Sequence, residues 1–558
     1  MKKYFKKQLK TLCYVVSLCS AYAVFNVGIA VLLQYVVDLA AGRDMVRFVR
    51  TMLAAGAYII IFAGIYYAYG KTVNKLSNSM IADLRNDLFS GILKKDYESY
   101  VTYDTAAYIS TVVNDINLLE SAYIAPCIRI MENSIMFVLT VILLLRYGGL
   151  IIIWLTFILC LMMVLPQMVG KIMQNKQNRF SAQLSSFTRV LRDYLSGYEV
   201  IHTANIENTI IHKFRNENTL LFLRKNDRDK MRSLSDSVAC LLSAFMQFSI
   251  IFTGVFSIMQ GNMTIGILTA LLQLCNMFTM PVSAIMQDLS EIKSAKPVLE
   301  KIDCFMESVK EKEACSMREI RTISMKNVCF KYPSQKENTL EIEDLQIHCG
   351  KKYLIAGKSG CGKSTLLKLL AGYFKEYEGQ ILFDGADLKQ TDDRSIYQKT
   401  AIIHQNVFLF NASLIDNITL WQEYQEQDLE NALKISGVDQ FADIGNKGRA
   451  IHVGENGREL SGGQRQRIAI ARALIQKKEI LILDEGISSI DRQTGNDIEN
   501  RILNIPGLTI INVSHDLQEN FLNQYDEILF MQNGKIAEAG PYQELMSKKG
   551  AFQRYITS

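Results

Sequence analysis

The sequence predicts a membrane protein in two parts: an all-α six-helix transmembrane domain, then an α/β P-loop (RecA-like) nucleotide-binding domain. Two observations carry that expectation. Apolar runs of the ~20 residues or more that cross a bilayer recur near 12–37, 51–70, 124–145, 149–169, 238–260 and 263–286. Beyond residue 320, short apolar runs alternate with helical patterns, as in a mostly parallel sheet covered by helices. At 558 residues the chain is too long for one core. The expected boundaries are 1–300 for the transmembrane domain, 301–320 for a polar linker and 321–558 for the nucleotide-binding domain. The mean hydropathy of +0.09 at 21% charged residues is then the average of two unlike halves.

Each span has its own justification. The first follows Lys2, Lys3, Lys6, Lys7 and Lys10, and Ala21-Tyr22-Ala23 mimics a leader cleavage site. The apolar run continues through Val31-Leu32-Leu33, which predicts a retained helix rather than a signal peptide. Short connections at 146–149 and 261–264 alternate with long ones at 71–123 and 170–237, the latter rich in Lys and Arg. This asymmetry predicts a multi-pass protein of the cell membrane with its N-terminus, long loops and C-terminal domain cytoplasmic, although arginines near 43–50 run against it. Arg129 and Glu132 lie three apart near the cytoplasmic end of the third span, so they share a helix face and are expected to pair with each other, to snorkel to the interface, or to contact substrate. Met246, Gln273, Asn276, Met277 and Met280 would either line an adaptable cavity or simply pack, and Pro281 would kink the sixth helix.

Composition excludes some functions. A formal charge of +5 without basic clusters interleaved by aromatics gives no support to nucleic-acid binding. Eleven cysteines without a C-x-x-C pair give none to a zinc site or a disulfide framework.

The chemistry is carried by the second part. Strands are expected at 323–330, 352–356, 381–383, 401–403, 479–483 and 508–513. After the second comes Gly357-Lys358-Ser359-Gly360-Cys361-Gly362-Lys363-Ser364-Thr365, and then a helical pattern. Strand, glycine loop and helix in that order form a P-loop: backbone N–H groups and the helix N-terminus cradle phosphates. Lys363 reaches the β/γ-phosphates and Ser364 offers its hydroxyl to Mg²⁺. A second phosphate-binding helix start follows at Leu460-Ser461-Gly462-Gly463-Gln464, where Ser461 is suited to cap the helix. A strand ending in Asp484-Glu485 comes next.

On these residues the chain resembles the ABC transporter family, in its exporter-type half-transporter branch, along essentially its whole length; Leu460–Gln464 stands as the family's unaltered signature. The resemblance implies that Asp484 holds Mg²⁺ through water and that Glu485 is the base polarising the attacking water. It implies that Gln405 senses Mg²⁺, that His515 contacts the γ-phosphate, that Asp491 lies in a dimer-contacting loop, and that Tyr332 stacks on adenine. Ser461, Gly462, Gly463 and Gln464 of one subunit would close over ATP held by the P-loop of another. A homodimer is therefore expected, with a heterodimer of related half-transporters as the alternative. The region 108–120 and the residues around 191–199 resemble coupling elements of the long loops, and 453–457 the segment that touches them, with Asn456 where the family usually has a charge. ATP and Mg²⁺ are the implied cofactors. The implied function is ATP-driven export of a drug, lipid or peptide across the bilayer; the alternatives are a metal-chelate importer and an ATP-gated channel or sensor.

Overall fold

A computed structural model describes residues 1–147, 172, 175–306, 320–332, 335, 337–442, 451–514 and 519–557. The fourth expected span, most of the expected linker, and His515 lie outside the described residues. The chain divides into two compact units, Met1–Leu93 with Thr105–Glu307, and Lys94–Asp104 with Ser308–Ser558.

The first unit is helical. Among the described residues five helices are long and apolar enough to cross a membrane: Leu9–Ala41, Met45–Leu93, Thr105–Arg146, Glu207–Met259 and Ile265–Met306. We label their main segments α1 (Leu9–Ala41), α2 (Met45–Leu93), α3 (Ala125–Tyr147), α4 (Glu207–Met259), α5 (Ile265–Ser294) and α6 (Lys296–Met306). Pro281 sits inside α5. The apolar core joins α1, α3, α4 and α5 through Ala23, Val27, Met136, Met246, Ile250, Leu271 and Phe278. Met246 is 1% exposed and is therefore packing rather than cavity lining, whereas Met280 is 72% exposed. Polar clips set helix positions. Asp38 of α1 accepts from Thr264 Oγ1 at 3.1 Å and from Gly266 N at 3.0 Å, which satisfies amides at the start of α5 and places a negative charge at its positive dipole end. Helix α6 returns onto α2, where Met306 lies against Gly91, and its Phe305 ring meets Tyr108 at 4.8 Å. The first part of the expected linker is thus a packed helix of the membrane unit.

The second unit is built on two sheets. Strands β1 (Thr322–Phe330), β2 (Leu340–His348), β4 (Glu378–Phe383) and β5 (Ala386–Asp387) form an antiparallel sheet in the order β2-β1-β4-β5. The larger sheet runs β10-β9-β3-β8-β7-β6. Its members are β3 (Lys352–Gly357), β6 (Thr400–Ile403), β7 (Ile480–Asp484), β8 (Thr509–Val513), β9 (Glu527–Gln532) and β10 (Lys535–Gly540). Pairing from β6 through β9 is parallel, and only β10 turns back. Every residue of β3 and β8 is buried, as continuous apolar runs require in a sheet covered on both faces. The mostly parallel expectation holds for this sheet; the antiparallel one shows as alternating burial along β1 and β2.

The short helix Tyr97–Val101 also belongs to the second unit. Asp96 caps it, accepting from Ser99 N at 2.8 Å, and the Tyr97 ring stacks on Tyr373 at 4.1 Å. Glu98 accepts from Lys375 N at 3.2 Å. The loop segment seated on the nucleotide-binding fold is therefore 94–104. Residues 108–120, where coupling was expected, belong to the helical unit.

Candidate nucleotide site

The P-loop leaves β3 at Gly357 (φ +153°) and enters helix α7 (Lys363–Leu370) at Gly362 (φ +103°). Side chains rarely adopt that backbone region, and a Cβ at Gly357 would fall inside the Met531 carbonyl. The loop is left with inward-facing amides at a helix start, which is anion-binding geometry. Lys363 is 6% exposed and donates from Nζ to the carbonyls of Gly357 at 2.7 Å and Lys358 at 3.0 Å, so its charge rests inside the loop. Ser359 and Gly360 form the crest; Cys361 is buried, its amide donating to Lys358 O at 3.3 Å and its carbonyl accepting from Gly534 N at 3.0 Å.

The residues expected to hold a metal converge on the same place. Ser364 Oγ donates to Asp484 Oδ1 at 3.0 Å, and Gln405 Nε2 donates to Glu485 Oε2 at 2.8 Å. Hydroxyl, carboxylate and amide oxygens are the hard donors that Mg²⁺ selects, and a triphosphate in the loop would supply the remaining oxygens. The residues present fit MgATP. Glu485 holds φ +53°, costly for a side chain of this size, and several contacts enforce it. Its amide donates to Val513 O at 3.2 Å, while its carbonyl accepts from Ser488 Oγ at 2.9 Å and Gln466 Nε2 at 3.3 Å. Gln466 also accepts from Ser489 N at 2.8 Å, tying the Glu485 backbone to the loop that ends at Asp491. Sequence reasoning passed over Gln466, although it stands two residues after Gln464 on the same helix.

Tyr332 lies beside the P-loop with its hydroxyl 3.2 Å from Thr365 Oγ1 and its ring edge-on to Phe374. The signature opens helix α8 (Gly462–Ile475) with a capping box: Ser461 Oγ accepts from Gln464 N at 3.2 Å and Gln464 Oε1 accepts from Ser461 N at 2.8 Å. At Gly463 a Cβ would stand 3.0 Å from Ser489 O and 3.3 Å from Ile490 Cα, so only glycine lets the two loops approach this closely. Asp491 caps α9 (Arg492–Leu503), accepting from Thr494 N at 3.0 Å; that bond holds its carboxyl below the usual range. Among the described residues, no hydrogen bond joins Ser461–Gln464 to Gly357–Thr365. Asn456 takes φ +51°, a left-handed conformation that asparagine tolerates, which accounts for the departure noted there.

In the first unit Arg129 and Glu132 do not pair. Arg129 donates to Asp288 Oδ1 from Nε at 2.8 Å and from Nη2 at 2.5 Å, and to Glu291 Oε2 at 2.9 Å; Glu132 accepts from Tyr69 Oη at 2.9 Å. Asn276 accepts from Gln247 Nε2 at 2.8 Å.

Comparison with known proteins agrees with this geometry. Residues 340–488 match the family model of the ABC transporter, and residues 11–282 that of the ABC transporter transmembrane region. The ATP-dependent lipid A-core flippase of Desulfotalea psychrophila is 27% identical over 498 residues, covering 88% of this chain and 86% of the relative. The flippase of the same name from Shigella sonnei is 24% identical over 501 residues, covering 88% and 86%. A solved bacterial Atm1-family ABC exporter with ATP bound shares the fold at a TM-score of 0.86 and 18% identity, over 99% of this chain and 98% of that one. A membrane-embedded helical region joined to an ATP-using α/β domain with both phosphate-binding loops makes this chain a member of the ABC transporter family, an ATPase coupled to transmembrane transport.

Proposed function

We propose that the protein exports a lipid-like, amphipathic substrate, powered by MgATP bound between two copies of the second unit. The observation that carries this reading is the pair of separate phosphate-binding helix starts in one unit, Gly357–Thr365 and Ser461–Gln464, neither hydrogen-bonded to the other among the described residues. Each is half of a pocket, and a second subunit supplies the complement. Identical copies suffice, because Lys363, Asp484, Glu485 and the signature are all intact; a related half-transporter is the other candidate partner. The relatives' names support the substrate class, since the flippases match along most of both chains.

In this reading Lys363 would leave its own loop carbonyls for the β/γ-phosphates, and Ser364, Gln405 and Asp484 would hold Mg²⁺, which would supply charge neutralisation of the transferring group. Glu485, held rigidly by Gln466 and Val513, orients water and takes its proton; Tyr332 flanks the base. His515 is assigned to the γ-phosphate and Asp491 to the dimer contact. The lysine-rich N-terminus and basic long loops support a cytoplasmic side for the second unit. A regulatory gate would not need the full hydrolytic set, and no observation favours chelate import. The test is ATP-dependent translocation of fluorescent lipids in proteoliposomes, compared with Glu485→Gln. Lipid movement that persists equally in that variant would refute the proposal.

A further inference from the structure

The scheme above uses no side chain of the first unit, yet that unit holds an acid inside an apolar bundle. Ionisable groups at such depth are costly unless they serve a purpose. Arg129 is committed to Asp288 and Glu291, which leaves Glu132 to the Tyr69 hydroxyl at 2.9 Å. Among the described residues, Glu132 has no salt bridge and no second hydrogen-bond donor. Arg129 thus serves Asp288 and Glu291 directly and acts on Glu132 only through space.

The surroundings of Glu132 are aromatic. Tyr69, 5% exposed, stacks on Tyr22 at 5.8 Å and 3° between planes. The Tyr22 ring also meets Phe62 at 5.6 Å and Tyr66 at 5.3 Å. Ring faces are the negative poles of aromatic quadrupoles. A carboxylate bonded to Tyr69, the first of four linked rings, suits one kind of ligand, a large and weakly hydrated organic cation. A metal ion would need more oxygen ligands than one carboxylate and neighbouring phenols supply. An anionic head group would find a carboxyl there and, among the described residues, no cation hydrogen-bonded to it.

We propose that Glu132, with Tyr22, Phe62, Tyr66 and Tyr69, is the head-group subsite for an amphipathic organic cation, an alkylammonium or protonated amine bearing a hydrocarbon tail. The inference rests on the exporter reading and narrows its substrate class. A purely structural Tyr69–Glu132 clip between α2 and α3 makes a different forecast. Glutamine at 132 still accepts from Tyr69, so a clip survives Glu132→Gln, whereas charge recognition does not.

The experiment measures ATP-dependent uptake into phosphatidylcholine proteoliposomes of a fluorescent alkyl-trimethylammonium and of its uncharged tert-butyl isostere. Wild type is expected to prefer the cation. Glu132→Gln should raise the half-saturating cation concentration by about tenfold and leave that of the neutral isostere unchanged, which also reports a folded variant. Tyr66→Leu removes an exposed ring and should raise it about threefold for the cation alone; it carries the test if Glu132→Gln fails to fold. Equal shifts for both compounds, no shift for either, or a wild-type preference for an anionic amphiphile of the same length would overturn the subsite. Uptake of neither compound by wild type, while ATP hydrolysis persists, would instead overturn the exporter reading beneath it.

Discussion

In the proposed dimer Ser461 would have two separable tasks, and two substitutions pull them apart. Its Oγ accepts from Gln464 N at 3.2 Å, which caps α8. A hydroxyl keeps a donor after accepting, and that donor is free for a phosphate held by the other subunit. Ser461→Ala removes both; loss of the cap alone costs about 1 kcal/mol, a fall of roughly 2–4 °C in the melting temperature of a unit this size. Aspartate caps as well as serine, so Ser461→Asp should melt at the wild-type temperature. It also sets a carboxylate against the phosphate. At a separation of ~4 Å and an effective dielectric of ~20, that repulsion is about 4 kcal/mol, or ~10³-fold in the population of the closed dimer. The assay is thermal melting of the detergent-solubilised protein alongside MgATP hydrolysis. Ser461→Asp hydrolysing at the wild-type rate would refute the placement of Ser461 against nucleotide.

Three further outcomes are expected. Glu485→Gln should lower turnover by about 10²–10⁴ while nucleotide binding by titration calorimetry persists, and turnover at the wild-type rate would remove Glu485 as the base. Alkylation of Cys361 should abolish hydrolysis, slowly because the thiol is buried in the P-loop, and bound ATP should protect it; full activity after complete modification would show that the loop tolerates the adduct. Burial pushes the His404 imidazole below its ordinary value, so the unfolded chain takes up that proton first. Its stabilising contribution is complete above the unfolded value of about 6.5 and is lost as pH falls below it through the folded value. The melting temperature should therefore drop between pH 7 and 5.5 less steeply in His404→Gln than in wild type, and identical slopes would exclude His404.

The nucleotide site was legible because its parts are contiguous in sequence and chemically constrained. Gly357 and Gly362 need backbone angles that few residues adopt, and Ser461 with Gln464 spells a capping box. The membrane half was less legible because its polar contacts are long-range. The i,i+3 spacing of Arg129 and Glu132 suggested a pair, but Asp288 and Glu291 of α5 offer Arg129 two carboxylates, and Tyr69 of α2 takes Glu132. Local spacing cannot see acids 159 and 162 residues away. The misplaced loop element had a local clue, since Asp96 is a good N-cap and Tyr97 follows it directly. Gln466 was missed because its task, holding a strained carbonyl nineteen residues on, exists only in three dimensions.

The second unit also contains a continuous set of contacts from the segment 94–104, which follows α2, to the Glu485 carboxylate. Tyr97 stacks on Tyr373, and the Tyr373 hydroxyl stands 3.0 Å from His404 Nε2. His404 precedes Gln405 in the chain, and the Gln405 amide donates to Glu485. Each link is a stack, a hydrogen bond or a peptide bond, and burial keeps His404 neutral and able to share a proton with Tyr373 near neutral pH. Withdrawing Tyr97 must break the aromatic stack or carry Tyr373 with it, and displacing Tyr373 must break or drag its bond to His404. Gln405 is both a proposed metal ligand and the next residue, so under that proposal nucleotide state and loop position would compete for the same few side chains. That competition is a physical basis for coupling: it needs no long-range deformation of the sheet, only a choice by Gln405 between Glu485 and Mg²⁺.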